Sequence, residues 1–130
     1  MAGLSPAFDD DFLWHRQDTF HDSFCRDLDD IESLVMATTQ RPLARRCLDD
    51  VTEEPAWKTK PSWYQVSGQD RMILPQSQRW MAKRIHARET IELDTSHASF
   101  ATRPTQVLEL ITNAASAMRQ SPETLGDHRA

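Results

Sequence analysis

The second half of the chain alternates strand-like and helix-like segments, and this order constrains the fold more than any other feature. Residues 62–66 and 90–93 are short segments with aromatic or β-branched side chains, which is typical of strands. A helix is predicted between them over residues 75–86, with Pro75 in its first turn. The connecting helix returns the chain to the starting edge, so the two strands are predicted to run parallel.

A last helix is predicted after Pro104, where an apolar set recurs at helical spacing: Val107, Leu108, Ile111, Ala114, Ala115 and Met118. The predicted fold class is therefore α/β, with a βαβα unit over residues 61–119. Residues 120–130 lack an apolar face and are predicted to form a flexible tail.

Residues 1–60 follow a different pattern and are predicted to form a helical segment. Between Phe20 and Val35 apolar side chains recur every three or four positions, which indicates one amphipathic helix, capped by Asp18 or Thr19. A second, short helix is predicted over residues 42–48. The charged, proline-bearing stretch that follows, up to residue 61, is typical of a loop.

Composition excludes several classes of function. The chain has 130 residues and a formal net charge of −5, which disfavours binding to nucleic acid. Apolar runs are too short for a membrane span, and no secretory signal is visible, so we expect a cytoplasmic protein without a membrane partner. Three glycines cannot build a phosphate-binding loop, and no group of residues has metal-ligand spacing, so neither a cofactor nor a metal is expected. Cys25 and Cys47 are expected to be reduced packing residues.

The residues that follow the two predicted strands suggest a catalytic Asp–His pair. Asp70 comes directly after the first strand and His97 after the second, and parallel strands end at the same edge of a sheet. If Asp70 accepts a hydrogen bond from one ring nitrogen of His97, the other nitrogen is free to act as a general base. The pair would be two thirds of a catalytic triad. The alternative is that Asp70 caps the next helix and His97 is a solvated loop residue.

A family resemblance favours the catalytic interpretation. Segments 61–64, 68–75, 78–82 and 94–99, with 20–24, 40–42 and 55–58 upstream, closely resemble the helical cap and C-terminal part of the α/β-hydrolase superfamily. The chain is most similar to small bacterial esterases related to plant methylesterases and hydroxynitrile lyases. The resemblance extends from about Ser5 to Met118, and it implies a partial α/β-hydrolase fold, action on small esters, Asp70 as the triad acid and His97 as the base.

The sequence departs from that family at the nucleophile. No Gly-x-Ser-x-Gly turn and no HGGG-type loop is present. The only approximation is the run from Gly3 to Ala7 around Ser5, and there Pro6 has no N–H to donate to an oxyanion. We therefore expect a hydrolase chain that is inactive alone, with the seryl nucleophile supplied from outside these residues. A truncated gene product, a mis-called start and one part of a split protein are all consistent with the residues.

Other interpretations of these residues stay open. The chain can instead be a non-catalytic fragment or an interaction module that self-associates or pairs with another chain through an exposed sheet edge. Ser96 and Ser99 flank His97, and loop hydrogen bonding is the expected role of their hydroxyls. The aromatic side chains Trp14, Phe20 and Phe24 are expected in the core, with an ester pocket as the alternative.

Overall fold

A computed structural model describes residues 4–6 and 11–120 of the chain, with side chains described from residue 11 to residue 119. In chain order the elements are strands β1 (Leu4–Pro6) and β2 (Phe12–His15), helices α1 (Gln17–Phe24) and α2 (Asp30–Thr39), strand β3 (Leu43–Ala44), helix α3 (Arg46–Asp49), a single 3-10 turn (Ala56–Lys58), strand β4 (Trp63–Ser67), helix α4 (Pro75–Arg84), strand β5 (Glu89–Leu93), and helices α5 (Ser99–Thr102) and α6 (Pro104–Gln120). Residues 121–130 of the expected tail lie outside the described residues.

Strands β4 and β5 form a parallel pair, as the strand–helix–strand order predicts. Their register places Trp63 opposite Glu89 and Ser67 opposite Leu93. The pairing continues past β4, where the Gly68 amide donates to the Leu93 carbonyl at 2.8 Å. A Cβ on Gly68 would meet that carbonyl oxygen at 3.2 Å, so glycine permits this close approach. Both strands therefore end at one edge, and the segments that follow them start side by side.

Helix α4 has clear start and stop signals. Pro75 occupies the first helical position, where its missing N–H costs nothing. At the other end His86 adopts a left-handed φ of 50°. The amides of His86 and Ala87 donate to the carbonyls of Lys83 and Ala82, both at 3.1 Å. These paired bonds are a Schellman motif, which ends the helix at Arg84, two residues before the predicted end.

A small antiparallel sheet in the first half was not predicted. Strand β2 pairs with β1, with Ser5 opposite Trp14, and with β3, with Leu13 opposite Leu43. The strands have only two to four residues, too few for an alternating pattern to show in the sequence. The prediction of a helical segment over residues 1–60 did not include these strands, and β3 takes the start of the helix predicted over residues 42–48.

The single helix predicted from Phe20 to Val35 is in fact two helices. Helix α1 is preceded by Arg16, without a side-chain cap from Asp18 or Thr19, and it ends at Phe24. Helix α2 starts after Asp29, whose carboxylate accepts from the Glu32 amide at 2.8 Å. Asp29 therefore caps a new helix within what looked like one continuous apolar period.

The break also changes which side chains of α2 are buried. Ser33 and Ala37 face the interior, whereas three expected core residues are exposed: Ile31, Leu34 and Val35. The break rotates α2 relative to α1, so the apolar period of the sequence does not continue as one packed face. In α6 the buried face also differs from the predicted one: Leu110 is buried, whereas Leu108, Ile111 and Met118 are exposed.

The core that matters for the site joins the two halves of the chain. Phe20, Cys25 and Ala37 from the helical segment pack with Ala98, which follows His97. Cys25 is fully buried, as expected, but the prediction that Cys47 packs in the core was wrong, because it is exposed on the short helix α3. None of the described helices combines the length and apolar character needed to cross a bilayer.

Candidate active site

Asp70 is buried directly after β4 and held by three donors besides His97. Its Oδ1 accepts from the amides of Met72 and Ile73 at 2.7 and 3.0 Å, which forms a tight turn after the strand. Its Oδ2 accepts from the Gln78 side-chain amide at 2.7 Å. A buried carboxylate needs such donors, because it has lost its water. The result is a charge fixed in position at the sheet edge.

His97 lies beside it in the loop between β5 and α5. The Nδ1 atom of His97 is 2.8 Å from Oδ2 of Asp70, although 27 positions separate the residues in the chain. The side chain of Asp70 is 2% exposed and that of His97 is 29% exposed. The structure thus brings together the two residues that the sequence analysis singled out, with the carboxylate inside and the imidazole at the surface.

The hydrogen bonds around Asp70 assign the proton on His97. A carboxylate only accepts, so the 2.8 Å contact requires the proton on Nδ1 of the imidazole. In the neutral ring the lone pair is then on Nε2, for which the described residues offer no hydrogen-bond partner. This is the tautomer that a general base requires.

An apolar cavity of about 490 Å³ opens next to the imidazole. Its walls include Phe20, Phe24, Met36, Met72 and His97. Phe20 and Phe24 stack with ring centroids 4.8 Å apart, and Phe24 lies 4.7 Å from the His97 ring. Phe20 is buried in the core as expected and Phe24 packs against that core, while both rings also line the cavity.

The hydroxyls of the two serines that flank His97 are engaged in other contacts. Ser99 Oγ donates to the Gln65 side chain at 2.7 Å, and Ser96 Oγ donates to Asp27. Loop hydrogen bonding is therefore what both serines do, in line with expectation. Ser5 lies in the extended strand β1, paired with Trp14, and not in the sharp strand-to-helix turn that a nucleophile elbow requires.

A second serine–histidine contact is present in the helical segment. Ser23 Oγ lies 2.9 Å from His15 Nε2, and it also reaches the Thr19 carbonyl at 2.5 Å. His15 Nδ1 faces the Arg16 carbonyl at 3.1 Å, not a carboxylate. Gln40 fastens the His15 backbone with two hydrogen bonds of 3.1 and 2.9 Å. The contact ties β2 to α1 and the end of α2, and among the described residues no carboxylate is bonded to the His15 ring.

Sequence reasoning gave no role at the site to Gln78, Asp27 or Gln40. Gln78 and Gln40 stand in segments that carry the family resemblance, but their roles are visible only in the hydrogen bonds that they make. Among the described residues no group of three or more His, Cys, Asp or Glu side chains is placed to hold a metal ion.

A parallel strand pair that carries an acid and an imidazole at its carboxyl edge is the arrangement of an α/β hydrolase. Comparison with known families agrees with this class. The family model described as "Alpha/beta hydrolase family" matches residues 1–110. The chain therefore belongs to the alpha/beta hydrolase family. No curated protein matches the sequence.

Solved structures share the fold. The chain is similar to the crystal structure of polyneuridine aldehyde esterase, with a TM-score of 0.67 and 14% identity, over 80% of this chain and 43% of that one. It is also similar to a methylesterase protein from Arabidopsis, with a TM-score of 0.68 and 18% identity, over 82% of this chain and 47% of that one. The chain spans less than half the length of each of these enzymes.

Proposed function

We propose that this chain provides the acid and base of a serine hydrolase that acts on small esters or related acyl compounds. The observation that carries the proposal is the 2.8 Å contact between Asp70 and His97 at the edge of an apolar cavity. In this function Nε2 of His97 takes the proton of a seryl hydroxyl, and Asp70 holds the ring and stabilises the imidazolium that forms. His97 then returns the proton to the leaving alcohol.

The seryl nucleophile and the oxyanion donors come, in this proposal, from residues outside the 130-residue sequence. The sequence contains no nucleophile elbow, and Ser96 and Ser99 are committed to other partners. An imidazole without a hydroxyl to activate gives no acyl-enzyme, so the 130-residue chain alone should not turn over esters. Small esters are also what the comparison enzymes suggest, since both are named as esterases.

The test compares two polypeptides with a p-nitrophenyl ester as substrate. One is the 130-residue chain, and the other is a longer product of the same reading frame, if sequence upstream of Met1 encodes a strand and a Gly-x-Ser-x-Gly turn. We expect turnover only from the longer product, and we expect His97→Ala to abolish it. Turnover by the 130-residue chain that depends on His97 would refute the external nucleophile, and a longer product indifferent to His97→Ala would refute the role of the pair.

A second candidate function is favoured by the exposed apolar side chains. Leu108, Ile111 and Met118 on α6 and Ile31 and Leu34 on α2 are each about half exposed or more. Apolar side chains grouped on one helix are typical of surfaces that bind another polypeptide. In this alternative the chain is a non-catalytic interaction module. Sedimentation of the purified chain tests this alternative. An interaction module that self-associates should form a complex of defined size whether or not His97 is present.

A further inference from the structure

The loop that carries His97 is held at both ends by one corner of the helical segment. Ser96, immediately before His97, donates its amide to Asp27 Oδ2 at 2.9 Å and its hydroxyl to Asp27 Oδ1. Ala98, immediately after it, donates its amide to the Phe24 carbonyl at 3.1 Å. Phe24 is the last residue of α1 and Asp27 lies in the turn between α1 and α2, so His97 is fastened on either side by residues about 70 positions away.

We call the pair of hydrogen bonds from Ser96 to Asp27 the clamp, and its two residues differ in exposure. Ser96 is 1% exposed, so in the folded protein its amide and hydroxyl take Asp27 as their hydrogen-bond acceptor. Asp27 itself is exposed, and its carboxylate accepts hydrogen bonds from both the amide and the hydroxyl of Ser96. A carboxylate that accepts two bonds from one residue fixes both the position and the direction of that residue. The backbone of Ser96 therefore cannot rotate without breaking a charge-assisted bond.

We propose that Asp27 is a positioning residue for His97, which keeps the imidazole within hydrogen-bond reach of Asp70 by clamping the preceding residue. The inference rests on the proposed function, because it gives Asp27 a role only if the Asp70–His97 pair is the acid and base. Asp27 does not line the cavity, and its hydrogen bonds to the loop that carries the base go to Ser96 and not to His97.

The charge state of Asp27 agrees with this role. Partial loss of hydration raises the pKa of its carboxyl, but the hydrogen bonds that the carboxylate accepts, first among them those from the Ser96 hydroxyl and amide, together outweigh that effect. The net result is a pKa below the ordinary value for aspartate. The carboxylate is thus ionised at neutral pH, in the form that both Ser96 donors require.

The experiment uses the whole 130-residue chain and needs no enzymatic activity. Ring-nitrogen NMR follows the proton on His97 Nδ1, and its exchange rate with water measures how well the bond to Asp70 is kept. Asp27→Leu preserves the branched shape and removes both acceptors. Asp27→Asn keeps an oxygen for the Ser96 amide and an amide that can donate to the Ser96 hydroxyl. Asp50→Leu, at an exposed aspartate after α3, is the matched control.

We expect Asp27→Leu to speed exchange of the His97 Nδ1 proton by roughly tenfold or more. The substitution removes the bonds from Ser96 to the charged Asp27 carboxylate, so the residue before His97 is held less firmly. Asp27→Asn should restore a rate close to that of wild type, and Asp50→Leu should have no effect. His21 is the internal reference, because its Nε2 atom contacts the Leu28 carbonyl at 3.0 Å in the same corner. A merely structural role would disturb the His21 ring as much as His97.

Each other outcome has a defined meaning. An unchanged His97 rate in folded Asp27→Leu overturns the positioning role, and so does an equal disturbance of His21. If Asp27→Leu does not fold, Ser96→Ala decides, because it removes only the hydroxyl bond, and unchanged exchange in that variant overturns the proposal. If wild type shows no proton held between His97 and Asp70, the proposed function fails as well, so the two failures have different signatures.

Discussion

The side-chain amide of Gln78 donates to the same oxygen of Asp70 that contacts His97. Its Nε2 atom is 2.7 Å from Asp70 Oδ2, while His97 Nδ1 is 2.8 Å from that oxygen on the other side. Gln78 also accepts from the Ser67 amide at 2.9 Å, so helix α4 connects the end of β4 to the acid. The acid is held by its own strand–turn–helix unit, and the imidazole approaches it from the next strand.

Replacing Gln78 with alanine should destabilise the protein and loosen Asp70. The change leaves the Ser67 amide and Asp70 Oδ2 short of a buried partner, which costs about 2 kcal/mol in the free energy of unfolding. Gln76→Ala on the same helix is the control, because Gln76 is exposed and should change stability by less than about 0.5 kcal/mol. Urea denaturation measures both, and equal effects would contradict the bonding described here.

The substitution Asp70→Asn should reverse the tautomer of His97. An asparagine placed with its oxygen toward the Met72 and Ile73 amides presents its NH₂ group to the imidazole, so Nδ1 must accept and the proton moves to Nε2. The nitrogen chemical shifts of the His97 ring report this exchange directly. Asp94→Asn, at an exposed aspartate in the loop before His97, should leave the ring unchanged. Retention of the Nδ1 proton in Asp70→Asn would show that Asp70 does not set the tautomer.

Asp27 should make stability depend on pH in a specific direction. Its pKa is lower in the folded protein than in the unfolded chain, so its contribution is present above the unfolded value of about 3.9 and is lost as pH falls through the folded value. The difference in unfolding free energy between wild type and Asp27→Asn should therefore be largest near neutral pH and shrink toward about pH 3. Urea titrations at several pH values measure the difference, and one that is constant with pH would refute the linkage.

The two thiols should react at very different rates. Cys47 is exposed, whereas burial raises the pKa of the Cys25 thiol and hides it from reagents. With an aromatic disulfide reagent under native conditions we expect one thiol to react at once and the other only after unfolding. Cys47→Ser should remove the fast phase and Cys25→Ser the slow one. Rapid reaction of Cys25 would show that the core around Phe20 and Ala98 opens readily.

The parts of the fold that the sequence predicted are those governed by strong local signals. Pro75 and the strand-like segments on either side of α4 define the parallel pair, and that pair by itself brings Asp70 and His97 to one edge. Placement of the site thus follows from topology, which needs only the order of the elements. The family resemblance then favoured the catalytic interpretation of this pair over a helix cap and a solvated loop histidine.

What the sequence did not predict depends on contacts between distant segments. The strands β1 to β3 are too short to leave a period, and they form only because they pair with one another. The apolar pattern from Phe20 to Val35 is continuous, so the helix break at Cys25–Asp29 could be seen only from the caps and from burial. Asp27 carries no local mark of its role, because its partner Ser96 is 69 positions away.

The contacts that hold Asp70 and His97 differ in sequence separation, and this difference has a consequence for folding. The turn and helix that fix the acid involve residues no more than eight positions from Asp70, so they close small loops at little entropic cost. The bonds between Asp27 and Ser96, the residue before His97, close a loop of 69 positions, and contacts of such sequence separation form slowly. We therefore expect the carboxylate to be in place before the imidazole during folding. In the proposed function, the Asp70–His97 pair is then completed late in folding, only when the two halves of the chain have docked.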